Sequence, residues 1–311
     1  MSREPIAVVG AGLMGHGIAQ VFASVGHSVR VYDVSRSALD AARHRIGVQL
    51  GLPADTAADT GPLSRILFTE DLGEALEGVP FVVEAVPENL ELKQNVFRRV
   101  SELAPEQAIL ASNTSTLSVT QMGAGTARPE NQVIAHWFNP PYLIPVVEVV
   151  RGDHTSEATV AKTVDLLRGA GKAPVRVKRE VPGFLVNRLQ AALFREALSL
   201  LEAGVAEPED LDRAVRGSFG LRLAAVGPLE TADLGGLELW LKGMAYLYPH
   251  LSNATEPQGI LQDKVARGHT GAKGGTGFFA YGDGGLEAEK RRDALLLRLV
   301  KILYPDVPRK E

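Results

Sequence analysis

The chain has 311 residues and a mass of 33.2 kDa, enough for one large domain or two ordinary ones, and its 45% hydrophobic and 23% charged content is that of a folded globular protein. Thirty-three Lys and Arg against 37 Asp and Glu leave a net charge of −4 with no dense basic run, which argues against nucleic-acid binding by phosphate neutralisation. The lack of cysteine excludes disulfides, thiolate catalysis and Cys-ligated metals, and the seven histidines show no metal-type spacing.

In chain order, Pro5–Val9 reads as a β-branched strand, Gly10–Gly17 as a glycine-rich turn, Ile18–Val25 as a helix stopped by Gly26, and Ser28–Tyr32 as a second strand ending in Asp33. Together they form a βαβ unit of about 30 residues. The early strand leaves no room for a secretory leader, and no apolar run reaches the roughly 18 residues of a membrane span, so a cytoplasmic protein is expected. Ala38–Leu50 looks helical, whereas Gly51–Pro62 is small, polar and proline-broken. Strand-like runs follow at Phe81–Val86, Ala108–Ala111, Val133–His136, Val146–Val149 and Val175–Val177, with helical patterns such as Leu90–Leu103 and Ser156–Leu167 between them. This alternation predicts an α/β fold, an N-terminal Rossmann-type doubly wound sheet over residues 1–181. Beyond Pro182 the strand signals stop. Amphipathic stretches at Phe184–Ala203, Pro208–Val215, Leu229–Leu247 and Leu286–Leu303 predict an all-helical domain over residues 182–311. Within it Gly271–Gly285, with seven glycines, is expected to be a folded loop.

The run Gly10-Ala11-Gly12-Leu13-Met14-Gly15 fits G-x-G-x-x-G between a strand and a helix, with Asp33 at the end of the next strand. Gly10 permits the tight turn, Gly12 lets backbone approach a pyrophosphate, and Gly15 allows close helix packing. The free N–H groups of the helix start suit phosphates. Asp33 suits the ribose hydroxyls and would repel a 2′-phosphate, so NAD is preferred, although nearby Arg36 is of a type that can pair with such a phosphate. At His136-Trp137-Phe138-Asn139-Pro140-Pro141 a histidine stands at the carboxyl end of a strand, where open α/β sheets bind ligands. Glu148, between Val147 and Val149, is a carboxylate on an apolar strand and needs a partner. A strand–turn–strand path could bring it beside His136 as a base held by an acid. A buried salt bridge to a cation elsewhere is the other reading of Glu148.

The segments GAGLMG, VPENLELK, SNTS, HWFNPP, VVEVV and PGFLVNRL resemble, in order and spacing, the L-3-hydroxyacyl-CoA dehydrogenase family over essentially the whole chain. The resemblance implies His136 as general base, Glu148 as its orienter, and Ser115 and Asn187 as hydrogen-bond donors to substrate. Around the cofactor it implies Asp33, Glu88, Lys93, Asn113 and Asn139, with Lys273 of the glycine-rich run closing from the helical domain. It also implies a homodimer, a small-molecule substrate, a role in fatty-acid metabolism and a site between the domains. The chemistry suits these residue types, because alcohol oxidation needs a group near neutrality to take the hydroxyl proton. CoA-using members of the family usually carry a lysine-bearing arm after the second strand. Here Ala38–Leu67 contains no lysine, and only Arg43, Arg45 and Arg65 could replace it. HWFNPPYLIPVVEVV and GLRLAAVGPLETADL look like the lambda-crystallin and L-gulonate 3-dehydrogenase branch, whose substrates are free 3-hydroxy acids. The expected function is an NAD-dependent dehydrogenase of the 3-hydroxybutyryl-CoA type, with a free-acid dehydrogenase as its alternative and a non-catalytic NAD-binding protein as the third reading. The presence of all four of His136, Glu148, Ser115 and Asn187 favours an enzyme.

Overall fold

Alternation along strand β1 (Arg3–Val9) sends Ile6 and Val8 into one buried apolar cluster and Ala7 and Val9 into another. A strand buried on both faces belongs inside a layered α/β structure. The structure is a computed structural model that describes residues 3–52 and 61–305. Its further strands are β2 (His27–Tyr32), β3 (Ile66–Thr69), β4 (Phe81–Glu84), β5 (Ile109–Ser112), β6 (Gln132–Trp137), β7 (Val146–Val150) and β8 (Ala173–Val177). All eight share one sheet in the order β3-β2-β1-β4-β5-β6-β7-β8. Every neighbouring pair is parallel except β6 and β7, which run antiparallel. The order reverses between β1 and β4, and such a switch point opens a crevice at the carboxyl ends of the strands.

The connections carry α1 (Gly15–Ser24), α2 (Arg36–Gln49), α3 (Leu72–Leu76), α4 (Leu90–Leu103), α5 (Val119–Met122) and α6 (Glu157–Gly169). Ile18 and Phe22 of α1, Ile46 of α2 and Leu167 of α6 pack into the Ile6 cluster, whereas Leu76, Phe97 and Met122 of α3, α4 and α5 join that of Val9. Helix starts follow the local chemistry. Ser35, Asn89 and Ser156 each cap a helix by accepting a backbone N–H three residues on. Strand β3 is not expected from the sequence pattern, which shows no strand signal between Pro62 and Phe81. Four residues between Arg65 and Glu70 are too few for alternation to show, and pairing with β2 is what makes them a strand. Most of the irregular Gly51–Pro62 segment lies outside the described residues.

Contacts divide the chain into two compact units, Met1–Asn187 with Tyr304–Glu311, and Arg188–Leu303. The division falls six residues beyond the expected break, so Asn187 belongs with the sheet. The helices are α7 (Val186–Glu202), α8 (Pro208–Gly217), α9 (Phe219–Ala225), α10 (Pro228–Gly235), α11 (Leu237–Leu247), α12 (Gly259–Ala266) and α13 (Leu286–Leu303). The single helix expected over Leu229–Leu247 is broken, because Gly236 takes φ 87° and ends α10 before α11 begins. The glycine-rich loop folds on itself through bridges Gly271 to Thr276 and Thr276 to Ala280. Lys264 of α12 secures it, donating to Gly277 O at 3.0 Å and lying 5.0 Å from the Phe278 ring centroid. Among the described residues, no helix is long and apolar enough to cross a membrane.

Candidate active site

The turn between β1 and α1 is built from its glycines. Gly10 has φ 109°, and a Cβ there would stand 2.6 Å from Ala85 O on the neighbouring strand end. Gly12, by contrast, has nothing within 4 Å of its Cβ position, which leaves its backbone open to an approaching ligand. Asp33 fixes the turn from β2, with Oδ2 accepting Ala11 N–H at 2.8 Å and Oδ1 accepting Ser35 N–H at 3.0 Å. Arg36 pairs with Asp40 at 3.2 Å. Helix α1 has no side-chain cap and no acid in its first turn, so its leading N–H groups and positive end are available to an anion. His16 braces the turn through Nδ1 and Gly12 O at 2.9 Å, and burial pushes its pKa below the ordinary value. A cleft of about 800 Å³ opens here, with Gly10, Gly12, Leu13, Met14 and Asp33 on one side and Glu88, Asn113 and Ser115 on the other. Its size, open glycine backbone and fixed carboxylate fit a dinucleotide.

The antiparallel pairing of β6 with β7 puts His136 directly opposite Glu148. Their side chains lie on the same face of the sheet, and His136 Nδ1 is 2.8 Å from Glu148 Oε2. Both are buried, Glu148 completely. The other carboxylate oxygen, Oε1, accepts the N–H groups of Leu185 and Val186, each at 2.9 Å. Burial pushes the Glu148 pKa up, but these hydrogen bonds from His136, Val186 and Leu185 outweigh it and hold the carboxyl below its ordinary 4.5. An ionised carboxylate only accepts, so Nδ1 carries a proton, and in the neutral ring Nε2 then holds the lone pair. Ser115 Oγ lies 3.1 Å from Nε2, and Asn187 Nδ2 donates to Ser115 O at 3.3 Å. The arrangement can accept a proton at Nε2 and place the resulting cation beside Glu148.

The remaining expected residues divide. Glu88 organises the Ser115 turn. Its Oε1 accepts from Thr114 Oγ, Ser115 N–H, Thr116 N–H and Thr116 Oγ at 2.5 to 3.1 Å. Burial raises its pKa, yet the threonine hydroxyls and the Lys93 charge pull it below 4.5. Asn113 lies between the cleft and the sheet, with Oδ1 accepting Trp137 N–H at 2.9 Å. Asn139 is exposed, three residues past His136 and joined to Pro140 by a cis peptide. Lys93 is 1% exposed and does not itself line the cleft, because its ammonium is held by Glu84 Oε1 at 2.7 Å, Val86 O at 3.2 Å and, at 3.4 Å, Oε2 of the cleft-lining Glu88. Lys273 lies in the second unit, in the short turn Ala272–Gly274. Sequence reading passed over Glu84, which is wholly buried and also accepts from Ser112 Oγ at 2.5 Å. Its setting in FVVEAV carries the same signal that exposed Glu148 in VVEVV. Among the described residues, no group of three or more His, Asp or Glu is placed to hold a metal ion.

Residues 5–181 match the model of the 3-hydroxyacyl-CoA dehydrogenase NAD binding domain, and residues 183–281 match that of the 3-hydroxyacyl-CoA dehydrogenase C-terminal domain. The chain belongs to the 3-hydroxyacyl-CoA dehydrogenase family. This dehydrogenase is an NAD-dependent enzyme with the Rossmann-type and helical domains of its family. It is 37% identical to 5-formyl-3-hydroxy-2-methylpyridine 4-carboxylate 5-dehydrogenase of Mesorhizobium japonicum, over 95% of this chain and 97% of that one. A solved structure of an enzyme of that name, described as an NAD+ dependent dismutase, superposes on the dehydrogenase with a TM-score of 0.88 at 37% identity, over 96% of this chain and 98% of that one. A probable 3-hydroxybutyryl-CoA dehydrogenase of Bacillus subtilis is also 37% identical, covering 90% of this chain and 98% of its own. Lambda-crystallin of Oryctolagus cuniculus is 35% identical over 84% of this chain and 85% of its own.

Proposed function

We propose that this dehydrogenase oxidises the 3-hydroxyl of a 3-hydroxy acid to a keto group, with His136 as the general base. The observation that carries the reading is the division of the His136 ring. Nδ1 is held by a buried, ionised carboxylate, while Nε2 meets the Ser115 hydroxyl beside the cleft. The hydroxyl proton passes to Nε2, and Glu148 stabilises the imidazolium that forms. Ser115 Oγ and Asn187 hold the substrate oxygens in register. Bound NAD would supply the acceptor for the hydride that leaves the same carbon. Asp33, the Gly12 backbone and the start of α1 would hold its ribose and phosphates, with Glu88, Asn113 and Asn139 as further candidates to contact it.

The acyl carrier is read from the region after β2. Residues 38–67 contain no lysine, and Arg65 directs its guanidinium to the carbonyls of Gly61 and Ala23 at 3.1 and 3.4 Å. A stretch without lysine, with Arg65 turned to backbone carbonyls, offers little to an anionic CoA nucleotide, which favours a free acid over a thioester. The Mesorhizobium relative is named for a free carboxylate and the Bacillus relative for a CoA ester. NADH formation from NAD should be measured with L-gulonate and 3-hydroxybutyrate beside 3-hydroxybutyryl-CoA. Turnover of the free acids is expected. A higher kcat/KM on the thioester would reverse the carrier, and no NADH from either series would sink the activity itself.

Two copies are expected to associate through the helical unit. Helices α7 to α12 bury none of their residues, and Leu237, Leu239 and Leu241 of α11 are 61%, 70% and 73% exposed. Sedimentation at micromolar concentration should give the mass of a dimer, and a monomer would contradict this.

A further inference from the structure

The backbone turns sharply just ahead of α7. Gly183 has φ 76° and Phe184 φ 52°, and Phe184 is the one non-glycine residue with positive φ among the described residues. A bulky side chain is disfavoured in the left-handed region and persists there only where its surroundings over-determine it. Here they do. Upstream, the Glu180 carboxylate accepts from Thr120 N–H at 3.1 Å, Thr120 Oγ at 3.2 Å and Ser118 Oγ. Downstream, Asn187 donates to Ser115 O. Between these staples the Leu185 and Val186 N–H groups meet on one oxygen of Glu148. Phe184 is 2% exposed, and its ring stands edge-on to His136 at 63° with centroids 5.5 Å apart. Phe138 flanks the same imidazole at 4.5 Å.

We infer that Phe184 is a positioning residue for the oxidation, acting through Glu148 and His136. Its left-handed backbone aims two successive N–H groups at Glu148, and its ring confines the imidazole so that Nε2 keeps its direction toward the substrate hydroxyl. Glycine would supply the turn without the ring. A phenylalanine in extended backbone would supply the ring without the turn. The inference rests on His136 being the base.

Phe184→Gly separates the two contributions, because it keeps the left-handed turn and removes the ring. Its kcat should fall about tenfold or more, with substrate KM and the NAD dissociation constant within about twofold of wild type. Phe184→Leu, which restores apolar bulk, should recover part of the loss. Combined with Glu148→Gln, Phe184→Gly should add little, since both act through one imidazole. Unchanged kcat, a loss confined to KM, or fully multiplicative losses would overturn the inference. If Phe184→Gly does not fold, Phe184→Leu decides: lowered kcat at unchanged KM supports the inference and wild-type kcat overturns it. His136→Gln, assayed alongside, tells the two readings apart. Normal turnover there defeats the base assignment, whereas a dead His136→Gln beside a normal Phe184→Gly defeats this inference alone.

Discussion

Glu84 on β4 and Glu148 on β7 are both wholly buried, and both accept backbone N–H groups: Val86 for the first, Leu185 and Val186 for the second. Burial alone would be costly for either carboxylate. They differ in the basic group that answers them. Glu84 accepts from Ser112 Oγ and meets the ammonium of Lys93, whose other contacts are Val86 O and, at 3.4 Å, Glu88 Oε2 at the cleft wall, so that all three ammonium protons are engaged. Glu148 meets an imidazole whose second nitrogen points to Ser115 at the cleft. The first pair fastens the end of a strand, and the second lies on a route by which a proton can enter and leave. A buried acid with a basic partner is therefore a signal of either kind. What decides is whether the partner keeps an atom free for something else.

The largest effect should come from breaking the closed pair. Lys93→Met leaves Glu84 buried and unpaired, and denaturant unfolding should show a loss of about 3–5 kcal/mol. Adding Glu84→Gln should return much of it. A Lys93→Met protein as stable as wild type would erase the distinction. Next in size is the open pair, probed by rate. His136→Gln should lower kcat by about 10²-fold or more while NAD titration is unchanged. Glu148→Gln should lower kcat as well, and the double variant should be little worse than His136→Gln alone. Independent, multiplicative losses would move Glu148 to the side of Glu84. The smallest effect is on acid stability. The folded protein holds the Glu148 carboxyl below its ordinary 4.5, so the unfolded chain binds the proton first as pH falls. That stabilisation is present above about pH 4.5 and is lost on acidification. Glu148→Gln should therefore lose less stability than wild type from about pH 5 downward in acid titrations followed by circular dichroism. Equal acid slopes would mean that His136 and the two N–H groups do not hold the carboxylate ionised.

Much of this site is legible in the sequence because it consists of polar residues placed against an apolar pattern. His136 ends a buried strand, Glu148 interrupts a valine run, and Asp33 closes the βαβ unit. Glu84 was equally legible by that rule. Lys93 was less so, since a lysine between Leu92 and Gln94 on a helix looks solvated until Glu84 is placed beneath it. Phe184 gave no local signal, because its left-handed backbone comes from staples at Ser118, Thr120 and Ser115, far away in the chain. In the helical unit the amphipathic stretches were clear in outline. The break at Gly236 was not, as apolar residues continue on both sides of it.

The reversal of strand direction between β6 and β7 has a consequence for how the molecule assembles. His136 and Glu148 are 12 residues apart and face each other across an antiparallel pair joined by residues 138–145. The cleft beside them depends on β1 meeting β4, where Val9 aligns with Glu84, 75 residues on. Closing the longer loop costs roughly 1.5 kcal/mol more chain entropy than closing the shorter one. The contact between His136 and Glu148 is thus a short-range one across a single hairpin, whereas the nucleotide crevice waits on a contact between distant parts of the polypeptide, the kind that slows folding.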